Sequence, residues 1–415
     1  MNNSVLIEIN KNDNYIKDPI HKEINFKNNE WAVELITTKE FKRLKEIKQL
    51  GVAYKVFPSA THSRYSHSIG TYQVALKFVN ALSTKISNLE KKIFLCSALL
   101  HDIGHGPFSH VFEKISNIKH EEITKKIILD TNSEINKILL KNKINPKVII
   151  DVINGSSKYQ WINKLVSSNI DVDRIDYLLR DSYFIGTNYS TIDVDFLIER
   201  THLINNNIYF SNSSLNVIES FLLGRYYMHE DIYNNKHSYI FEWALISIFD
   251  RLKEIKNIFI KNSDRIFEYD LYSWLILDNS KKNIDLNKFC EFNDVNFISF
   301  IVSLKKLKDK VINSFIDGFV FEKGIIAVDF SKKNFVLNEM QKIKNISKIE
   351  NKYIYCEVNK RFKKIYFEDE NLGINIINTQ TNTFWEFNSS KLIAFKNTNF
   401  DSVNKIILVN QNLLV

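Results

Sequence analysis

Histidine is concentrated in one stretch of this chain. Six of its ten histidines fall between His62 and His120. They occupy the runs HSRYSHSIG (62–70) and HDIGHGPFSH (101–110), followed by His120. An acidic run, IDVDRIDY (170–177), comes later. Imidazole and carboxylate gathered in this way suit a metal-assisted hydrolase. Adjacent His101 and Asp102 stand about 100° apart on a helix and can chelate one ion at its rim. His67 and Asp173 are the candidates to complete the shell, with positions left open for water and substrate. This donor set suits Zn, Mn, Fe or Mg without choosing among them. A bound divalent ion acidifies its water and polarises a phosphoryl or carbonyl oxygen.

A rival metal reading exists. His101 and His105 have the i, i+4 spacing of H-E-x-x-H zinc proteases. Here Asp102 stands in the Glu position and Gly104 breaks the helical turn such a site needs. A purely structural role would bury His101, Asp102 and His105 in the apolar segment FLCSALLHDIGH, which is costly without partners.

Elements must position these groups. Residues 30–50 read as one helix closed by Gly51, since Trp31, Leu35, Phe41, Leu44, Ile47 and Leu50 recur near helical spacing. Residues 66–87 and 89–103 read as two more helices, the second nearly all apolar and buried. Gly104, Gly106 and Pro107 end it just past the His-Asp pair. Helices are also expected over 120–142, 146–154, 159–182 and, as a long aromatic-rich region, 213–261. Residues 201–212 read as strand, turn, strand. Beyond about residue 315, FIDGFVFEKGIIAVDF, NKYIYCEV, KKIYFED and KLIAFKN read as strands. The expected architecture is mainly α: a helical domain over 1–300 and a smaller α+β region over 301–415.

Composition narrows the class. With 44% hydrophobic and 25% charged residues the chain reads as an ordinary globular protein. Cys96, Cys290 and Cys356 are odd in number and far apart, against a disulfide framework or a cysteine zinc site. The first residues lack a basic region followed by an apolar run, and no stretch reaches the ~18 apolar residues that span a bilayer. A cytoplasmic protein without a membrane partner is expected. The net charge of +8 favours anionic ligands but also fits a lysine-solvated surface. Lysine pairs such as Lys305–Lys306 and Lys363–Lys364 allow nucleic acid as a partner without supporting it, because interleaved aromatics are missing.

The motifs DPIH (18–21), FKRLKEIKQLG (41–51), VFPSATHSRYSHSIG (56–70), LLHDIGHGPFSH (99–110), HEE (120–122), IDVDRIDYLLRD (170–181) and RYYMHEDIYNNK (225–236) occur in order. In them the chain resembles the HD-domain deoxynucleoside triphosphate triphosphohydrolases over about residues 18–260. The resemblance implies an HD-domain helical phosphohydrolase fold and a metal bound by His67, His101, Asp102 and Asp173. It implies that His110 acts at the α-phosphate, helped by His105 and His120, with Glu113 orienting His110. Arg64, Arg174 and Arg225 fall at phosphate-contact positions, where a guanidinium grips oxygens bidentately. Arg174 replaces the lysine usual there. Tyr177 can donate its phenol to a phosphate. Gln49 and Asp181 match the residues holding the sugar 3′-hydroxyl, and Tyr233 the ring that leaves no room for a 2′-hydroxyl. His229 and Asn234 lie near the base position.

The implied reaction converts a deoxynucleoside triphosphate to deoxynucleoside and inorganic triphosphate, with one divalent metal and a second Mg possible on the triphosphate. Family members are dimers or tetramers, so a homo-oligomer is expected. Other HD phosphohydrolase or phosphodiesterase chemistry, on another nucleotide or a nucleic-acid end, is the alternative. A non-catalytic nucleotide-binding regulator is the third reading, opposed by the complete ligand set. Regulated members bind guanine nucleotides through a D-T-P-x-F-Q-R-L-R segment. Here Thr37, Lys42 and Lys45 replace its acid, glutamine and second arginine, and Asp195 falls where an arginine would meet an effector phosphate. Activation by GTP in the family's manner is therefore not expected, with nucleotide binding through Lys42 and Lys45 in a different mode left as the alternative.

Overall fold

The computed structural model describes residues 15–277, 285–334, 338, 350–359, 373–387 and 405–413. Strands β1 (Tyr15–Asp18) and β2 (Lys22–Asn25) form an antiparallel hairpin. The helices that frame the site are α1 (Glu30–Ile36), α2 (Arg64–Ala81), α3 (Asn88–Leu100), α4 (His110–Ser116), α5 (His120–Leu129) and α6 (Val172–Ile185). After the hairpin β3 (Thr201–Ile204) and β4 (Asn207–Ser211) come α7 (Leu215–Tyr227), α8 (Lys236–Glu254), α9 (Asp294–Ser303) and α10 (Lys310–Val320). The remaining described strands are β5 (Ile325–Asp329), β6 (Tyr355–Asn359), β7 (Asn375–Asn378), β8 (Thr383–Glu386) and β9 (Lys405–Asn410). The fold is mainly α, as expected. Among the described residues no helix is long and apolar enough to cross a membrane.

Local sequence explains the helix starts. Ser63 and Ser66 form a reciprocal capping box at α2, as do Ser87 and Glu90 at α3. Asp171 caps α6, its carboxylate accepting from the Arg174 amide at 2.7 Å. α2 packs between α3 and α6, so the two histidine runs and the acidic run converge on one seam. Phe78, Phe94, Leu99, Ile175 and Leu178 are buried along it.

Several expected elements are divided. The 30–50 segment is not one helix. α1 stops at Thr37, a short turn covers Lys39–Lys42, and Arg43–Glu46 is a 3-10 turn. The Thr38 hydroxyl donates to the Leu35 carbonyl and accepts from the Phe41 amide, so it competes with the helix ladder. The expected inward spacing nevertheless holds for Trp31, Leu35, Phe41, Leu44 and Ile47, which are buried, while Leu50 is half-buried. The 120–142 and 159–182 spans each divide in two, at the caps Ser133 and Asp171. The first six residues of FIDGFVFEKGIIAVDF lie in α10, whose buried Val311, Ile312, Phe315, Ile316 and Phe319 follow helical spacing. NKYIYCEV opens with a helical turn, Asn351–Ile354, before β6. KKIYFED and KLIAFKN lie outside the described residues.

The 201–212 hairpin is present. Its turn residues Asn205 and Asn206 both have positive φ, which suits a primed turn. β4 pairs in parallel with β7, giving a four-stranded sheet in the order β3-β4-β7-β8. A three-stranded sheet, β5-β9-β6, lies beside α8 and α10.

Candidate metal centre and active site

α3 ends at Leu100, and His101 follows as its cap residue with Nδ1 2.9 Å from the Ala98 carbonyl. This contact turns His101 Nε2 towards α2 and α6. His67 comes from the first turns of α2, fully buried, with Nδ1 2.8 Å from Asp176 Oδ2. Its Nε2 lies 3.0 Å from Asp173 Oδ1 and 3.6 Å from Asp102 Oδ2. His101 Nε2 lies 3.5 Å from both Asp173 Oδ1 and Asp102 Oδ1. Ligand atoms of His67, His101 and Asp102 all fall within 4.8 Å of one another.

This set fits a divalent ion. Ligand atoms ~2.1 Å from one centre sit about 3.0–3.4 Å apart in tetrahedral or octahedral shells. Both Nε2 atoms are buried and without a hydrogen-bond partner. Each faces carboxylate oxygens, so lone pairs meet lone pairs unless a cation lies between them. Burial would lower the His67 pKa, but the neighbouring Asp173 and Asp176 carboxylates raise it to about 10. His101 is raised too, as Asp102 and Asp173 outweigh its burial. A proton and a metal ion answer the same demand for positive charge here.

A buried network holds the donors in place. Asp176 is fully buried and accepts four bonds: from His67, from His21 Nε2 at 2.7 Å, and from Arg180 Nε and Nη2 at 2.9 Å each. Arg180 reaches on to Asp18 at 2.8 Å. The carboxylate is held well below its ordinary range because these donors outweigh the effect of burial. Gly70 makes room for it: a Cβ there would lie 2.0 Å from Asp176 Oδ1 and 2.3 Å from Arg180 Nη2. A histidine whose second nitrogen is tied to a carboxylate has its tautomer and ring angle fixed.

Beside the metal set lies a second cluster of His105, His110, Glu113 and His120. Glu113 Oε1 accepts from His110 Nδ1 at 2.8 Å and from His120 Nδ1 at 2.7 Å. Burial would raise the Glu113 carboxyl, but those two imidazoles hold it down to about 2. His105 stacks on His120, with ring centroids 3.8 Å apart, and its Nε2 is 3.4 Å from Asp102 Oδ1. Burial, then the charges of Arg64 and His120, push His105 well below its ordinary pKa, so it stays neutral. His110 is exposed at the cluster's outer edge.

The remaining candidates line the same region. Arg64 is buried at the start of α2, where its guanidinium binds Asp102 and donates to Ser109 Oγ at 3.0 Å. Gln49 is buried nearby, and its Oε1 has no partner among the described residues. Asp173, Tyr177 and Asp181 share one face of α6 at i, i+4 spacing. Arg174 pairs with Asp171. Arg225 is buried, which lowers its guanidinium, with Tyr177 opposing that shift and Arg174 reinforcing it. Asp181 accepts from Tyr233 Oη and from His62 Nε2, each at 2.7 Å. His229 packs against Tyr233 with centroids 5.0 Å apart, and both lie in the π-helical segment Met228–Tyr233. Such wide turns recur at functional sites. Asn234 follows directly, accepting from Tyr239 Oη at 3.0 Å.

The HD domain model matches residues 64–181, a span that includes His67, His101, Asp102 and Asp173. A Mycoplasma pneumoniae protein, "Uncharacterized protein MG461 homolog", is 35% identical over 85% of this chain and 87% of its own length. The chain belongs to the HD-domain phosphohydrolases. A Dictyostelium discoideum relative named as a deoxynucleoside triphosphate triphosphohydrolase SAMHD1 homolog is 27% identical over 75% of this chain and 61% of its own. The crystal structure of a Bacteroides thetaiotaomicron phosphohydrolase shares the fold, with TM-score 0.80 at 24% identity over 96% of this chain and 99% of that one.

In this HD-domain phosphohydrolase the residues singled out from sequence come together in one region. Sequence reasoning assigned no role to His62, Asp176, Arg180, His21 or Asp18. All five lie inside motifs that the resemblance rests on, so position within DPIH, HSRYSH and IDVDRIDYLLRD was the available signal. Three of the altered effector-site residues have local partners. The Thr37 hydroxyl donates to the Glu34 carbonyl at 2.8 Å, Lys45 lies over the Tyr65 ring, and Asp195 pairs with Lys77 at 2.6 Å.

Proposed function

We propose that this phosphohydrolase cleaves deoxynucleoside triphosphates to deoxynucleoside and inorganic triphosphate. One observation carries the reading. A single face of α6 runs from the metal carboxylate Asp173, through Tyr177, to Asp181, with Arg174 and Arg225 beside the phenol and Tyr233 bonded to the last carboxylate. That order supports metal, phosphate and sugar hydroxyl in sequence along one ligand. The Dictyostelium relative's name agrees with it.

A divalent ion held by His67, His101, Asp102 and Asp173 supplies Lewis acidity towards an α-phosphoryl oxygen when bound. Water attacks the α-phosphorus and the bond to O5′ breaks, so triphosphate leaves intact. Arg64, Arg174 and Arg225 neutralise charge on the phosphates, the main contribution expected from protein groups in phosphoryl transfer. Glu113 binds His110 Nδ1, which leaves Nε2 of that exposed ring to give a proton to O5′. Neutral His105 and stacked His120 fix the position of Glu113 and His110 beside Asp102. Gln49 and Asp181 hold the 3′-hydroxyl, offering an amide and a carboxylate to one alcohol. Tyr233, tied to Asp181, closes the space at C2′, while His229 and Asn234 face the base.

The test is product analysis by phosphorus NMR with each dNTP, NTP and dNMP under Mg, Mn, Fe and Zn. The reading expects inorganic triphosphate from dNTPs and little turnover of NTPs. Release of pyrophosphate or orthophosphate as the primary product would overturn it in favour of another HD phosphohydrolase reaction.

A further inference from the structure

Asp294, the first residue of α9, is fully buried, yet its side chain neither caps its own helix nor pairs closely with a cation. Its two oxygens bind two backbone amides of the active-site region. Oδ2 accepts from Lys48 N at 2.9 Å and Oδ1 from Phe108 N at 2.8 Å, 186 residues away in the chain. We propose that Asp294 is a positioning residue that clamps the Lys48–Gln49 segment to the Phe108–Ser109 turn, and so sets Gln49, Arg64 and His110 against the metal donors. The proposal rests on the reading that Gln49 and His110 meet the substrate.

Three observations support it. First, the turn needs holding. Phe108 and Ser109 have φ of 57° and 56°, a left-handed region that L side chains adopt only with support, and His110 follows at once. Second, the two clamped segments touch intimately. Gly51 has φ of 54°, and a Cβ there would lie 2.6 Å from the Phe108 carbonyl oxygen. Third, the clamp continues to the metal donors through side chains. Ser109 Oγ donates to the Lys48 carbonyl at 2.8 Å and accepts from Arg64 Nε at 3.0 Å. Arg64 then reaches the Gln49 carbonyl at 3.4 Å and Asp102. One carboxylate thus fixes a loop of hydrogen bonds that ends on a metal donor.

The bonds need the ionised form, because a proton on either oxygen removes an acceptor from one amide. Burial pushes the Asp294 carboxyl up to about 6, with the Lys48 and Phe108 amides and the Lys48 ammonium, 3.9 Å away, opposing it. Glu46, Tyr54 and Tyr272 are the other titratable groups that bear on it.

Asp294→Asn tests this. An amide accepts from one of the two N–H groups and sets an N–H against the other. Three readouts are taken together: hydrogen exchange of peptides covering residues 46–51 and 105–110, metal content, and steady-state kinetics. The expected result is lost amide protection in both peptides, unchanged metal content, and a fall in kcat/KM of about tenfold or more. In the wild type both peptides should themselves be strongly protected at pH 7, because each holds a backbone amide bonded to buried Asp294. That second measurement stands even where the variant fails to fold. Wild-type-like protection in the variant, unprotected peptides in the wild type, or lost protection with unchanged turnover would each overturn the proposal. A wild-type protein that hydrolyses no dNTP would sink the function reading alone, since the exchange arms still decide whether Asp294 holds the turn.

Discussion

Replacing Asp176 by Asn should weaken metal binding and stability together, although Asp176 is not placed among the metal's own ligands. The carboxylate accepts four bonds, two on each oxygen. An asparagine keeps one oxygen and can satisfy at most two of those donors. In one orientation it turns an NH₂ against His67 Nδ1 and Arg180 Nε, in the other against His21 Nε2 and Arg180 Nη2. Each buried donor left unsatisfied costs about 1–3 kcal/mol, and breaking a buried ion pair costs about 3–5 kcal/mol. Arg180 keeps Asp18, so a loss of about 3–5 kcal/mol is expected, a large share of a typical domain's stability. Metal affinity should fall about 10- to 100-fold, as is usual when the partner of a ligating histidine is lost. Thermal unfolding of the metal-free protein measures the first effect. Calorimetric titration with Mn(II), at a temperature where the variant is folded, measures the second. A variant that melts with the wild type and binds Mn(II) within about twofold of it would refute the account of how His67 is held.

Gly70→Ala should damage the same network from the other side, lowering the melting temperature and the bound metal together, because its Cβ would overlap Asp176 and Arg180. Glu113 has a folded pKa depressed to about 2, so its contribution to stability is complete above its ordinary value and is lost as pH falls towards 2. Glu113→Gln should flatten that slope in melting temperatures taken between pH 6 and 3, and an unchanged slope would remove the His110–Glu113–His120 link. Activity on a single dNTP should not require GTP, since Thr37 and Asp195 are engaged with local partners and offer guanine no acid and its phosphates no cation. Strong GTP dependence in a turnover assay would contradict this.

The candidate metal donors stand out in the sequence because local signals around them are strong. His101 and Asp102 follow an apolar helix stopped by Gly104 and Pro107, and Asp173 follows the cap residue Asp171. What could not be read was set by contacts distant in sequence. The Thr37–Thr38 pair breaks a helix whose apolar period continues through it, since side-chain hydrogen bonds leave that period untouched. Residues 315–320 read as strand from sequence but form the end of α10, because their β-branched and aromatic residues fit either element until their burial partners are known. Asp294 carried no motif and joins segments far from it in the chain. His62 was counted in the cluster, but only the fold brings it to Asp181, 119 residues on.

Hydrolysis in ¹⁸O-enriched water tests the central claim most directly. With one dNTP and the metal that best supports turnover, the account predicts a single ¹⁸O in the inorganic triphosphate and none in the deoxynucleoside, with no reaction by His101→Ala. Label in a nucleoside monophosphate or in the sugar oxygen, or undiminished turnover by His101→Ala, would contradict it.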